Sequence, residues 1–178
     1  GDMLERPDVL VVDLDPTTVR PAQVRRAART FGALLREVGL EPWVMTTGSR
    51  GYHVVVPLIR RADFDEVRAF ARGLAELAVA REPRVFTNEQ RKAKREGKLL
   101  VDIQRNAYAH TAVAPYAVRP RPHAPVATPL QWEELDDAKT TADRWTLATV
   151  PERLAREGDP WRAVGRNGQT LAREPLRH

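Results

Sequence analysis

The sequence predicts an α+β fold, in which a mostly antiparallel sheet carries flanking helices. Three observations support this class. An apolar run near the start has the composition of a buried strand, two stretches have the period of an amphipathic helix, and two adjacent apolar runs are joined by a short turn. The resulting order of strand, helix, hairpin, helix and strand is typical of an α+β sandwich.

The first strand is predicted at residues 9–12 and is followed by Asp13, Leu14 and Asp15. Because side chains at i and i+2 project from the same face of a strand, Asp13 and Asp15 are expected side by side, with Leu14 turned towards the core. Two neighbouring carboxylates repel each other unless a cation lies between them, and their oxygens suit Mg²⁺ or Mn²⁺. The alternative is a strand that ends in an ordinary turn over residues 15–18.

Residues 17–39 repeat apolar side chains at helical spacing, and Gly39 is the expected stop. Residues 41–47 and 52–58 are predicted as the two strands of a hairpin, joined by a turn at residues 48–51. A second helix is expected to begin after the N-cap Asp63. Residues 81–98 are basic and poor in apolar side chains, which predicts a helix and a loop on the surface.

Residues 99–104 return to strand character, and Asp102 stands out there because its neighbours are apolar. An unpaired carboxylate in such a strand is costly, so it is expected to have a partner. We expect one domain over residues 1–178, with the core in residues 1–130 and a helical and irregular segment at 131–178. Trp132, Trp145 and Trp161 are the expected packing anchors of that segment.

The composition is that of an ordinary globular protein, with 178 residues, 42% hydrophobic and 30% charged. No apolar run approaches the length of a membrane span. Cysteine is absent from the sequence, which excludes disulfides and thiolate metal sites and fits a cytosolic protein. The net charge of +5 is carried mostly by arginine and favours a polyanionic partner, although arginine richness is equally typical of a GC-rich genome.

These features combine into one candidate constellation. Three carboxylates on neighbouring strands can hold one or two divalent ions about 4 Å apart, as in enzymes that transfer phosphoryl or nucleotidyl groups. The turn at residues 48–51 has glycines that let backbone N–H groups approach phosphates, and Arg50 and His53 can neutralise a triphosphate. Each feature alone also fits a plainer role, as a solvated histidine, a turn or a solvated basic face. Their joint occurrence favours the site.

Three ordered motifs carry a resemblance to a known family. They are Asp13-Leu14-Asp15, Thr47-Gly48-Ser49-Arg50-Gly51-Tyr52-His53, and Val101-Asp102-Ile103-Gln104-Arg105-Asn106, with Arg119 and Arg121 downstream. In this order they resemble the motifs of the archaeo-eukaryotic primase superfamily. More closely, they resemble those of the polymerase/primase domain of bacterial ligase D, the end-joining enzyme.

The resemblance implies a primase-like catalytic core with an RRM-like sheet. It also implies a template-directed nucleotidyltransferase that uses Mn²⁺ or Mg²⁺ in a two-metal site. Such an enzyme adds ribo- or deoxyribonucleotides to DNA ends in non-homologous end-joining repair. The implied partners are a primer-template, nucleoside triphosphates, a ligase module and an end-binding protein, and no membrane partner is expected. The implied location is the bacterial cytosol or nucleoid.

Residue roles follow from the matched motifs. The implied catalytic and metal-binding residues are Asp13, Asp15 and Asp102. The implied nucleotide-binding residues are Thr47, Gly48, Ser49, Arg50, His53, Arg105, Arg119 and Arg121. Outside the motifs, the charge of the basic segment at residues 81–98 predicts nucleic-acid contacts at Arg91, Lys92, Lys94, Arg95 and Lys98.

The sequence departs from the family pattern in two places. Arg50 stands where the family often has lysine, and the chain begins only a dozen residues before Asp13. We therefore expect the catalytic half of the family domain, with its N-terminal part absent.

Two other functions fit part of the pattern. A nucleic-acid-binding fragment would keep the fold without the activity. A phosphatase of the haloacid dehalogenase kind would use the D-x-D-x-T pattern of residues 13–17, with Asp13 as nucleophile and Asp136-Asp137 as an acidic pair, on a parallel sheet.

Overall fold

Six strands form one open sheet in the computed structural model, which describes residues 3–16 and 20–171. The strands are β1 (Val9–Asp15), β2 (Trp43–Thr46), β3 (Tyr52–Pro57), β4 (Phe86–Thr87), β5 (Leu99–Asp102) and β6 (Pro129–Leu130). Their order across the sheet is β4-β5-β1-β3-β2-β6. Every pair is antiparallel except β4 with β5, so the predicted class is confirmed.

Two long helices, α1 (Pro21–Glu37) and α2 (Phe64–Arg81), pack on one face of this sheet. The alternation of β1 decides which face that is, because Leu10, Val12 and Leu14 are fully buried in the same apolar cluster as both helices. Each such side chain contributes roughly 1.5–3 kcal/mol when fully buried. The opposite face of β1 carries Val11 and then the two aspartates.

The ends of the helices agree with their predicted signals. The Asp63 side chain caps α2 by accepting a hydrogen bond from the Glu66 backbone N–H. The Glu66 carboxylate in turn accepts one from the Asp63 backbone N–H. After α1, Gly39 has a φ of +79°, the left-handed conformation that a C′ glycine supplies. The helix begins at Pro21. The start predicted at residue 17 and the alternative turn at Thr17-Thr18 fall on positions outside the described residues.

The helix predicted within residues 81–98 is wrong. After α2 ends at Arg81, the chain forms the short strand β4 and then a single 3₁₀ turn at Lys92–Lys94. Phe86 explains the difference, since its side chain is 1% exposed and meets the Phe31 ring edge-on at 5.4 Å. One aromatic anchor holds this segment against the sheet without any periodic pattern in the sequence.

The segment after β6 contains a 3₁₀ helix (Trp132–Asp136) and α3 (Val150–Glu157). Its tryptophans are packing anchors, as predicted. Trp145 joins the large cluster beneath the helices, and Trp161 covers Val11, Met45 and Val55 on the other face of the sheet. The 131–171 segment therefore closes both faces near β2. No helix in the described parts of the chain is both long and apolar enough to span a bilayer.

We predict that Gly51→Ala destabilises the fold, because a Cβ at Gly51 would overlap the backbone carbonyl oxygen of Leu14. Overpacking against rigid backbone should lower the free energy of unfolding by about 1–3 kcal/mol, measured by chemical denaturation. Gly165→Ala is the matched control, since nothing lies within 4 Å of its Cβ position and its backbone is not left-handed. Equal stability of the two variants would contradict the close approach of the turn to β1.

Candidate functional site

Asp13 and Asp15 project from the end of β1 on the face away from the two helices. The strand alternates strictly, so these carboxylates continue the row that Val11 begins, while Leu14 is fully buried on the other side. Antiparallel pairing places His53 opposite Asp13 on β3 and Asp102 opposite Asp13 on β5. Cross-strand neighbours share a face, so one row of the sheet holds all three side chains.

Asp13 is the most enclosed acid of the site, and both of its carboxylate oxygens have cationic or polar neighbours. His53 Nε2 lies 3.5 Å from Oδ1, and Arg105 Nε donates to Oδ2 at 3.2 Å. Burial alone would raise the pKa of Asp13, but the hydrogen bonds and charges of His53 and Arg105 outweigh it and hold the pKa below its usual value. Asp13 is therefore ionised at neutral pH.

Asp15 lies nearer to solvent and has weaker compensation. Its Oδ1 is 3.6 Å from Arg50 Nη2, and its side chain is 44% exposed. Partial burial raises the pKa of Asp15, and the charge of Asp13 adds to this, against opposing attraction from Arg50, Lys92 and Arg95. The fold thus holds a second carboxylate beside Asp13 in an environment that does not fully favour its charge.

The turn between β2 and β3 forms one side of the site. The Thr47 hydroxyl closes it by donating to the Gly51 carbonyl at 3.0 Å and accepting from the Gly51 N–H at 3.3 Å. Gly48 has a φ of +63°, and a Cβ there would lie 2.7 Å from Arg119 Cγ. Glycine at this position therefore lets the Arg119 side chain cross the turn, and Ser49 and Arg50 are left at its tip.

These groups surround a cavity of about 420 Å³. It is lined by Asp13, Asp15, Thr47, Ser49, Arg50, Gly51, His53, Arg105, Thr111, Ala112, Val113, Arg119 and Arg121. Arg119 and Arg121 form no ion pair within the described ranges, and Arg119 Nε is buried without a hydrogen-bond partner. The cavity thus joins two carboxylates to two guanidinium groups, those of Arg119 and Arg121, that have no acidic partner among the described residues, so it suits a ligand that carries both a cation and an anion.

Asp102 is beside the cavity without lining it. It stands in register with Asp13, but its Oδ1 accepts a hydrogen bond from the Gln104 N–H at 2.8 Å. Across residues 3–16 and 20–171, no three acidic, histidine or cysteine side chains gather closely enough to hold one ion together. The structure therefore brings Asp13 and Asp15 together and leaves Asp102 as a neighbour on the next strand.

Asn106 is a residue of this region to which the sequence reasoning assigned no role. It is 2% exposed, and its side-chain amide pairs with both the N–H and the carbonyl of Val11 in β1. Its neighbour Arg105 contacts Asp13. A single asparagine in a polar loop has no periodic signal, so only its place at the end of the third motif could have pointed to it.

The basic segment at residues 91–98 lies near Asp15, close enough for the charges of Lys92 and Arg95 to oppose the rise in the pKa of that carboxyl. Arg91, Lys92 and Lys94 are exposed. Arg95 differs from the predicted surface cation, because it is 6% exposed and donates to the carbonyls of Glu89 and Gln90. Its guanidinium therefore joins the segment to the two residues that precede it.

Lys98 completes the predicted set of basic residues and is partly exposed. Its ammonium lies 3.6 Å from a carboxylate oxygen of Glu96, whose backbone has a φ of +51°. This pair is at the surface and holds Lys98 only weakly.

The phosphatase alternative does not fit this geometry. The strand that carries Asp13 is flanked on both sides by antiparallel partners, where that class needs a parallel sheet. Asp136 and Asp137 form surface ion pairs with Arg29 and Arg144. Thr17, the last position of the D-x-D-x-T pattern, lies outside the described residues.

Residues 2–161 match the family model described as LigD, primase-polymerase domain. The multifunctional non-homologous end joining protein LigD of Pseudomonas aeruginosa is 38% identical over 161 residues, covering 89% of this chain and 19% of that protein. The bifunctional non-homologous end joining protein LigD of Bacillus subtilis is 32% identical over 173 residues, covering 96% and 28%. The chain therefore spans only 19% and 28% of the lengths of these two curated relatives.

A solved structure is also similar. The polymerase domain from Mycobacterium tuberculosis ligase D, in complex with DNA, superposes with a TM-score of 0.84 at 33% sequence identity. The match covers 92% of this chain and 57% of that one. The relative therefore shares the fold across nearly all of the chain compared here.

We predict opposite effects for Asp15→Asn and Asp13→Asn on metal-free stability. The raised pKa of Asp15 means that its charge destabilises the fold once the pH exceeds the folded-state pKa, so an uncharged asparagine should raise the Tm at pH 7. This gain should shrink as the pH falls towards 4. The lowered pKa of Asp13 means that its charge stabilises the fold above the unfolded-state value near 3.8, so Asp13→Asn should lower the Tm at pH 7.

Thermal melts in a chelator-containing buffer from pH 7 to pH 4 measure both effects. The Asp13→Asn loss should also shrink as the pH falls, because the wild-type contribution disappears when Asp13 is protonated. A change of the same sign in both variants at pH 7 would show that the two carboxylates do not differ in environment.

Proposed function

This chain belongs to the LigD primase-polymerase domain family, and we propose that it is a metal-dependent nucleotidyltransferase that adds ribo- or deoxyribonucleotides to DNA ends in non-homologous end joining. The family match and the solved relative confirm both the resemblance drawn from the three motifs and the primase-like fold. Because the chain spans only part of these relatives, the reaction, its substrates and its partners are proposed here from the site.

One observation carries the proposal: the cavity joins a carboxylate pair to unpaired arginines. Asp13 and Asp15 lie on one side, and Arg119 and Arg121 line the same cavity without acidic partners among the described residues. A nucleoside triphosphate with a divalent cation carries the complementary charges. Its phosphates would meet guanidinium groups that are free to form forked hydrogen bonds.

The donor set fits a hard cation. Asp13 is kept ionised by its neighbours, Asp15 is partly open to the cavity, and carboxylate oxygens suit Mg²⁺ or Mn²⁺. These two residues would hold one cation. Asp102, opposite Asp13 on the adjacent strand, is the proposed third acidic residue of the site and would help to hold a second cation. When bound, such ions neutralise the charge that develops on the transferred phosphoryl group and activate the attacking hydroxyl.

The surrounding side chains would bind and orient the triphosphate. Ser49 and Arg50 stand at the tip of the turn that Thr47 and Gly51 close. Arg50 is held only loosely by Asp15, at 3.6 Å, so its guanidinium can reach a phosphate without breaking a strong ion pair.

His53 and Arg105 would act through Asp13 as well as through the nucleotide. Both lie against its carboxylate, so they keep that group charged and in place. Gly48 would contribute by letting Arg119 lie across the turn.

DNA is the proposed polyanionic partner. The solved relative is in complex with DNA, and the basic segment of this chain lies near Asp15. Arg91, Lys92, Lys94 and Lys98 would neutralise backbone phosphates there. Arg95 would hold the segment in place instead, because its guanidinium donates to the carbonyls of the two residues that precede the segment.

The relatives' names suggest the wider setting. They are multifunctional or bifunctional end-joining proteins, so we propose that this chain works with a ligase module and an end-binding protein on a primer-template. The bacterial cytosol or nucleoid is the compartment where such DNA ends occur.

A second candidate function is DNA binding without nucleotide addition. The match covers 57% of a solved polymerase domain that is in complex with DNA. A chain with this fold would then bind DNA ends through its basic segment and leave the cavity unused.

We predict that Mn²⁺, a labelled ribonucleotide and a recessed-end primer-template give primer extension by one or more nucleotides. Asp13→Ala and Asp15→Ala should each reduce extension by about 10³-fold or more, because each removes a proposed cation ligand. Asp8→Ala is the matched control. Asp8 is an exposed aspartate just before the same strand, and its carboxylate pairs with Arg60. No extension by wild type, with DNA binding intact, would leave only the second candidate function.

Asp102→Ala tests the third proposed ligand separately. Its activity should fall as far as that of Asp13→Ala, while its circular dichroism stays that of wild type. Wild-type activity in this variant would remove Asp102 from the site and leave a two-carboxylate centre.

We predict that Arg50→Ala separates nucleotide binding from DNA binding. Loss of a triphosphate contact should raise the KM for nucleotide by about tenfold or more, while the Kd for the primer-template changes less than about twofold. Steady-state extension and fluorescence anisotropy measure the two constants. Equal losses in both would assign Arg50 to the DNA surface.

A further inference from the structure

The side chain of Asn106 replaces a missing strand residue beside β1. The β5–β1 register pairs Asp102 with Asp13, so continuation of that ladder would place position 104 opposite Val11. The chain turns away into a 3₁₀ helix at Gln104–Asn106 instead. The amide of Asn106 takes the vacant place, accepting from the Val11 N–H at 2.8 Å and donating to the Val11 carbonyl at 2.7 Å.

This side chain is also tied to its own loop. Its amide nitrogen donates a further hydrogen bond to the Ile103 carbonyl at 3.0 Å, and only 2% of the residue is exposed. Two buried hydrogen bonds therefore join Asn106 to β1 two residues before Asp13, and a third joins it to the residue that follows β5. Loss of one partner would leave buried backbone groups unpaired, which is costly.

Because these hydrogen bonds fix the position of Asn106, they also fix the adjacent backbone from which the Arg105 side chain extends. The Arg105 side chain is 40% exposed, so packing alone does not hold it. Its Nε donates to Asp13 at 3.2 Å, and its Nη1 donates to the Thr111 carbonyl at 3.3 Å. A flexible guanidinium reaches both acceptors only if the loop that carries it is held at a set distance from β1.

We propose that Asn106 is a positioning residue, which clamps the 104–111 loop to β1 so that Arg105 stays on Asp13. This inference rests on the proposed nucleotidyl transfer. Without the clamp, the loop would shift, Arg105 would leave the carboxylate, and Asp13 would no longer be held at the orientation that the cavity requires. Asn106 itself does not line the cavity.

A double-mutant cycle tests the coupling. Asn106→Ala and Arg105→Ala should each lower kcat/KM for extension by about tenfold or more, and the double variant should be no worse than about twofold below the poorer single variant. Independent structural damage would give losses that multiply. Asn106→Ser, which keeps a small polar group, replaces Asn106→Ala in the cycle if the latter fails to fold.

Gln169→Ala is the matched control. The Gln169 amide also pairs with both backbone groups of one residue, accepting from the Glu41 N–H at 2.7 Å and donating to its carbonyl at 2.8 Å. It does not line the cavity. Its loss should cost stability of a similar kind and leave kcat/KM unchanged.

Mn²⁺ affinity of the nucleotide-free protein, measured by electron paramagnetic resonance, gives a readout that does not depend on activity. Arg105→Ala removes a positive charge 3.2 Å from Asp13, so it should tighten Mn²⁺ binding several-fold. Asn106→Ala should shift the Kd in the same direction, and the double variant should shift it no further. An Asn106 variant that matches Gln169→Ala in Mn²⁺ affinity would overturn the proposal. If wild type extends no primer, the proposed function fails, while the Mn²⁺ cycle still decides the role of Asn106.

Discussion

The burial of one negative charge, on Asp13, is the constraint on which the site depends. The carboxylate is 8% exposed in the middle of the sheet, where an uncompensated charge would cost several kcal/mol. Its two partners come from different elements, His53 from β3 and Arg105 from the loop after β5. The charge is therefore tolerated only while β1, β3 and the loop after β5 keep their relative positions, so the same contacts that build the sheet also build the site.

The two carboxylates of the pair differ, and the difference suits the proposed chemistry. Asp13 is satisfied by protein partners, whereas Asp15 is left with a weak partner and an environment that resists its charge. On the same cavity, Arg119 and Arg121 carry charge with no acid beside them in the described ranges. A site with incompletely compensated positive and negative charges stabilises a ligand that carries charges of both signs. Its side chains need little rearrangement when that ligand binds.

Much of the fold could be read from the sequence, because its signals are local and periodic. The alternation of residues 9–15, the capping pair at Asp63 and Glu66, and the stop at Gly39 each have a physical cause within a few residues. Strand β4 could not be predicted, since Phe86 is one aromatic residue whose place depends on Phe31 some fifty positions away. For the same reason the motifs located the cavity but not the buried amide of Asn106, and charge composition did not separate buried Arg95 from its exposed neighbours.

We propose that Asp13 and Asp15 bind a divalent cation together with a triphosphate that contacts Arg119 and Arg121. An anomalous difference map from crystals of this chain grown with Mn²⁺ and a non-hydrolysable nucleoside triphosphate tests this. We expect a Mn²⁺ peak about 2.0–2.3 Å from oxygens of both carboxylates, with phosphate density against the two arginines. A Mn²⁺ peak elsewhere, with the triphosphate bound away from Arg119 and Arg121, would contradict it.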